Sequence, residues 1–66
     1  MSIKETEKYL IDKYGSLVLT KEQAAKELNI SQTTLDRLRR RGAIASKLIG
    51  GQVMFKAEEL ARFLAA

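Results

Sequence analysis

Three arginines, Arg37, Arg40 and Arg41, stand at i, i+3 and i+4, the spacing that gathers side chains on one side of a helix. A guanidinium is always charged, and its fork of donors fits phosphate oxygens and the acceptor edge of guanine. Gln32 and Thr33 lie about one turn earlier on the same outward surface. A glutamine amide donates and accepts at once, which suits the edge of adenine. These residue types support recognition of a polyanion that carries base edges, with no bond made or broken.

The rest of the inventory narrows the chemistry further. The 66 residues contain no cysteine and no histidine. Disulfides, thiolate or imidazole metal sites, and Ser-His-Asp or Cys-His nucleophiles are therefore excluded. The expectation is a protein that is not an enzyme, with no cofactor and no metal. The formal net charge is +4, and it is unevenly spread. Residues 1–30 carry five lysines and five acids. Residues 31–56 carry Arg37, Arg39, Arg40, Arg41, Lys47 and Lys56 against Asp36 alone, and residues 57–66 carry Glu58, Glu59 and Arg62. A local basic patch on an otherwise balanced chain points to a polyanion, although cations also gather at helix C-termini to complement the dipole. No apolar run approaches the roughly 18–20 residues that span a bilayer. The opening MSIKETEKYL carries acids and no apolar stretch of the signal-peptide kind.

The elements that must position these side chains are legible from caps and periodicity. A chain of this length makes at most one small domain. Ser2 with Glu5 three residues later is a capping-box spacing, and Gly15 is a helix-ending residue, so residues 1–15 read as a first helix. Its apolar face is Ile3, Tyr9 or Leu10, and Tyr14. Leu17-Val18-Leu19 reads as an apolar connector. Thr20 with Gln23 caps a second helix carrying Ala24, Ala25 and Leu28; Asn29 suits a left-handed turn, and Ser31 caps a third helix. Residues 19–41 thus form two short helices joined by a tight turn, the form in which a helix-turn-helix lays one helix in a DNA major groove. Gly42 closes the third helix. Residues 43–56 hold two apolar stretches around Gly50-Gly51, a two-residue hairpin signal of the I′/II′ kind. Residues 57–66 read as a last helix with Leu60, Phe63 and Leu64 inward. The hairpin must lie against the helices, with Val53 and Phe55 inward and Gln52 and Met54 outward. The expected fold is mainly α with a small β-hairpin, a winged helix-turn-helix in one domain. Its expected core is Leu19, Ala24, Ala25, Leu28, Ile30, Leu35, Leu38, Ile44, Leu48, Val53, Phe55, Leu60, Phe63 and Leu64.

Residues 19–64 resemble the excisionase and MerR-like winged helix-turn-helix families of small phage and prophage regulators. The residues that carry the resemblance are Leu19-Thr20, Ala24-Ala25, Leu28, the run Ser31-xx-Thr34-Leu35-xx-Leu38, Gly42, Ile49-Gly50-Gly51-Gln52-Val53, and Glu58-Glu59-Leu60-xx-Phe63-Leu64. Phage excisionases, Cox-type proteins and AlpA-like activators share this pattern. The chain departs from it in having Asn29 where glycine is commoner. The extra N-terminal helix either completes the core or offers a surface for self-association.

The resemblance implies that residues 31–41 enter the major groove and that the wing at residues 47–52 meets the backbone or minor groove. Gln32 and Thr33 are then nearest the base edges, with Arg37 beyond them and Arg40 and Arg41 on phosphate. Gln32 could instead serve only as a polar first-turn residue. Thr34 either caps the helix or touches a phosphate. Asp36 pairs with Arg40 at i+4, excludes wrong bases, or is only a surface ion pair. At the wing, Lys47, Gly50, Gly51 and Gln52 are candidate contacts, with Lys56 a weaker one; the glycines also need no more than a tight turn to explain them. Tyr9 and Tyr14 either pack or stack on bases. The expected protein binds double-stranded DNA sequence-specifically, as an excisionase, a transcriptional regulator or both, in the bacterial cytoplasm on the nucleoid. A recombinase and further copies of the chain on DNA are possible partners; no membrane is. The other readings are a protein-interaction module, such as an antirepressor or recombinase-binding factor, and a terminase-type DNA-packaging domain.

Overall fold

Capping decides where three helices begin in the computed structural model, which describes residues 2–65. Met1 and Ala66, the ends of the expected first and last helices, lie outside the described residues. A helix leaves its first backbone N–H groups without partners. Ahead of α1 (Ile3–Tyr14), Ser2 Oγ accepts the Glu5 N–H at 3.1 Å and Glu5 Oε1 accepts the Ser2 N–H at 3.1 Å. Thr20 and Gln23 repeat this reciprocal pair ahead of α2 (Lys21–Leu28), at 3.1 and 3.0 Å. Ser31 Oγ accepts the Thr34 N–H at 3.0 Å ahead of α3 (Gln32–Arg40). Each such cap contributes about 1 kcal/mol.

The turn between α2 and α3 depends on Asn29, the only non-glycine residue with positive φ (58°) among the described residues. Its left-handed conformation brings the Ile30 N–H back to the Ala25 carbonyl at 3.0 Å. α3 ends in the same way, with Gly42 at φ 77° and the Ala43 N–H on the Leu38 carbonyl at 2.9 Å. Both ends satisfy carbonyls that the helix would otherwise leave free.

The sheet has one strand more than the expected hairpin. β2 (Lys47–Ile49) and β3 (Gln52–Lys56) pair antiparallel around Gly50 and Gly51, whose φ values of 58° and 82° are the two positive angles of a type I′ turn. β1 (Val18–Thr20) pairs antiparallel with the other edge of β3, giving the order β1-β3-β2. The connector read at residues 17–19 is therefore corrected to a strand over most of its length. Three residues are too few to show a period of their own, and the pairing of Leu19 with Phe55 makes them a strand. The wing strand also begins later than expected: residues 43–46 form a loop, tied to the last helix by the Ala45 N–H on Glu59 Oε1 at 3.1 Å.

α4 (Ala57–Ala65) follows β3 without a break, and the Ala57 N–H bonds the Leu17 carbonyl at 2.9 Å. α1 packs along α4 and buries Leu10 completely. The first helix thus completes the core. The interior comprises Leu10, Leu19, Ala24, Ala25, Leu35, Ile44, Phe55, Ala57 and Leu60, with Leu28, Ile30, Leu38, Val53 and Phe63 packed against it. Leu10, Ala57 and Ala61 are buried beyond the expected set. Two expected core residues are not inside: Leu48 is 73% exposed and Leu64 45%. Leu48 shares the inner face of the wing through its register with Val53, but it lies on the edge strand, away from β1. Leu64 is in the last turn of α4. Met54, expected outward, is half-buried, flanked by Thr20 on β1 and Lys47 on β2. Of the α1 face, Ile3 and Tyr9 are exposed and Tyr14 is half-buried.

Candidate nucleic-acid interface

The first turn of α3 and the tip of the wing face one shallow groove. Gln32 lines it from α3, and Gly51, Gln52 and Val53 line it from the wing. Thr20, Lys21 and Glu22, at the start of α2, form its remaining wall. Three of the expected site residues, Gln32, Gly51 and Gln52, are thus brought together from positions about twenty residues apart in sequence. Lys21 joins them. It was not among the expected residues, because its i, i+4 neighbours say nothing about a wing thirty residues downstream.

Gln32, Thr33, Arg37, Arg40 and Arg41 are all exposed. None of the three arginines has a carboxylate within ion-pair distance among the described residues. The helix positions them outward because Leu35 and Leu38 occupy the opposite side against the core. Thr34 is engaged in the cap: its N–H donates to Ser31 Oγ, and its own Oγ1 accepts the Ser31 hydroxyl at 2.9 Å.

Asp36 does not pair with Arg40, and that expectation is corrected. Lys21 Nζ lies 3.0 Å from Asp36 Oδ1 and 3.1 Å from Oδ2, and Arg39 Nη2 lies 3.1 Å from Oδ1. The hydrogen bond from Lys21 is the largest influence on the Asp36 carboxyl and lowers it below the usual range; partial burial opposes this, and Arg39 adds to the lowering. Arg40 makes no ion pair among the described residues, while Arg39 is held on Asp36 one turn earlier in the same helix.

Lys47 is placed elsewhere. It lines a separate depression with Lys56, Glu58 and Glu59, at the base of the wing rather than at its tip. Gly50 remains exposed at the turn. Beside it, Leu48 and Ile49 expose apolar surface on the edge strand.

The decisive comparison covers most of this architecture. Residues 18–66 match a family described as a helix-turn-helix domain. The chain belongs to that helix-turn-helix family. Its members are small excisionase-like DNA-binding domains, so the chain carries a DNA-binding fold. The matched segment of this helix-turn-helix domain runs from β1 to the C-terminus, and α1 lies ahead of it. No curated protein and no solved structure matches the chain. No helix among the described residues is long and apolar enough to cross a membrane, and no cluster of potential metal ligands occurs among them.

Proposed function

We propose that this helix-turn-helix protein binds double-stranded DNA sequence-specifically and acts as an excisionase, a transcriptional regulator, or both, for a phage, prophage or other mobile element. The observation that carries the reading is the exposed, unpaired set Arg37, Arg40 and Arg41 on the same helix as Gln32, whose groove also holds the wing tip. In this reading α3 lies in the major groove. Gln32 and Thr33 meet base edges, Arg37 meets a guanine or a phosphate, and Arg40 and Arg41 hold phosphates. Thr34 secures the helix start, from which backbone N–H groups meet a phosphate. Gly50, Gly51 and Gln52 bring the wing backbone close to the duplex, and Lys47 contacts the next phosphates along it.

Function on this reading involves no covalent step. Phosphate contacts supply affinity and register, and a few side chains supply sequence preference. One module of this size reads few base pairs, so copies bind side by side on repeated sites. In an excisionase such an array bends DNA for a recombinase, and the complex sits on the bacterial nucleoid.

The test is fluorescence anisotropy with random-sequence duplex across a salt series. Log affinity of the wild type is expected to fall linearly with log salt, and the Arg37→Ala/Arg40→Ala double variant is expected to show a slope shallower by about 0.9–1.8, at 0.9 for each of the two that meets a phosphate. A folded wild-type protein that fails to bind duplex even at low salt would sink the DNA reading and favour a protein partner. On a probe with two repeats, strictly independent occupancy would refute side-by-side cooperation.

A further inference from the structure

Asp36 is the sole acid between residues 28 and 57, and it lies on α3 between Gln32 and Arg40. At about 100° per residue it lies about 40° from Gln32 on one side and about 40° from Arg40 on the other. Two cations converge on the same carboxylate oxygen, Oδ1: Lys21 from the start of α2 and Arg39 from the next turn of α3. All three side chains are only about a quarter exposed. Lys21 also lines the groove that holds Gln32 and the wing tip, the surface on which DNA would rest.

We propose that Asp36 is a specificity-positioning residue that latches Lys21 and Arg39 away from the DNA backbone. This rests on the DNA-binding reading above. An ammonium and a guanidinium held against one carboxylate have their donors directed at that carboxylate and not at phosphate. The phosphate-binding set is then confined to the free arginines Arg37, Arg40 and Arg41 and the wing. Affinity for any sequence is correspondingly restrained, since non-specific affinity grows with each phosphate neutralised. A lone carboxylate beside the duplex would repel it; this one already holds two positive charges. The latch also spans α2 and α3, so it holds the base-reading first turn of α3 at a set angle to its neighbour.

Salt dependence distinguishes a charge latch from an ordinary structural ion pair, because it counts the cations engaged on phosphate. The wild-type protein, Asp36→Asn and Asp12→Asn are compared on random-sequence duplex. Asp12 is an exposed acid on α1, so its variant makes the same change in net charge on a helix that contributes nothing to the latch. Asp36→Asn is expected to steepen the slope of log affinity against log salt by up to about 1.8, so that its advantage over wild type falls about tenfold between about 50 and 200 mM salt. Asp12→Asn is expected to keep the wild-type slope. In the wild-type background Lys21→Gln and Arg39→Gln are expected to leave the slope unchanged, whereas Arg40→Gln makes it shallower by about 0.9. The Lys21→Gln and Arg39→Gln variants can still overturn the latch if Asp36→Asn does not fold. A wild-type slope in Asp36→Asn, equal steepening in Asp12→Asn, or a loss of about 0.9 on Lys21→Gln would each overturn the latch while leaving the DNA reading intact. A wild-type protein that binds no duplex removes both.

Discussion

The Tyr14 hydroxyl, in the last turn of α1, donates a hydrogen bond to the Glu27 carboxylate on α2. Lys13 Nζ reaches the same oxygen at 2.7 Å and stands over the Tyr9 and Tyr14 rings, 5.5 Å from each centroid. A helix ahead of the family segment is thus fastened to the first helix of the helix-turn-helix, and the tyrosine in this contact is engaged with protein. Partial burial works to raise the Glu27 carboxyl, but the hydrogen bonds from Lys13 and Tyr14 outweigh it and hold it below its usual value of 4.5.

This contact predicts a pH dependence of stability. A carboxyl lowered in the folded state stabilises above its unfolded value and loses that contribution as pH falls through the folded one. Glu27→Gln is expected to cost on the order of 1 kcal/mol at neutral pH, with the difference from wild type shrinking below about pH 4.5. Urea denaturation at several pH values checks it. A gap that stayed constant into acid would show that the charge of Glu27 is immaterial.

Core substitutions should separate sharply by burial. Phe55→Ala and Leu35→Ala remove side chains with no exposed surface and are expected to cost about 2–5 kcal/mol, a large part of the stability of so small a domain. Leu48→Ala is expected to stay within about 0.5 kcal/mol, because Leu48 already faces solvent. Midpoints of chemical denaturation rank the three, and a severe Leu48→Ala would mean that the wing packs more tightly than this structure shows.

Asn29 tests the turn. At φ 58° glycine is unstrained and asparagine, with its short polar side chain, tolerates the left-handed region, whereas alanine has the Cβ without that polar group. Asn29→Ala is expected to lower stability by about 1 kcal/mol, and Asn29→Gly to change it little. Thermal unfolding of the pair reads this directly, and equal melting temperatures for the two variants would contradict it.

Base reading and backbone holding should come apart at the proposed interface. Gln32→Ala is expected to lose about 1–3 kcal/mol of discrimination at one base pair while keeping the wild-type salt slope. Arg40→Ala is expected to weaken binding to all sequences alike and to flatten the slope by about 0.9. Competition among single-base variants of a selected site, repeated at two salt concentrations, distinguishes them. Uniform weakening by Gln32→Ala would assign it a supporting role only.

Local chemistry in the sequence was enough to determine much of this protein. The pairs Ser2 with Glu5 and Thr20 with Gln23 set helix starts across three residues, and Asn29 and Gly42 set helix ends. Gly50 and Gly51 set the hairpin turn, and the arginine spacing set the outward face of α3. Each depends on neighbours within one turn or one loop, and such neighbours are adjacent in the chain. Tertiary structure decided what depends on distant partners. Val18 to Thr20 became a strand because β3 lies beside them. Leu10 and Ala61 became core because α1 and α4 pack together, and Leu48 became surface because it lies on the wing's outer strand. Asp36 chose Lys21, fifteen residues back, and Arg39 over Arg40, because the angle between α2 and α3 brings the ammonium to it. Periodicity indicates which way a side chain points along its own helix, but only the packed chain decides what waits there.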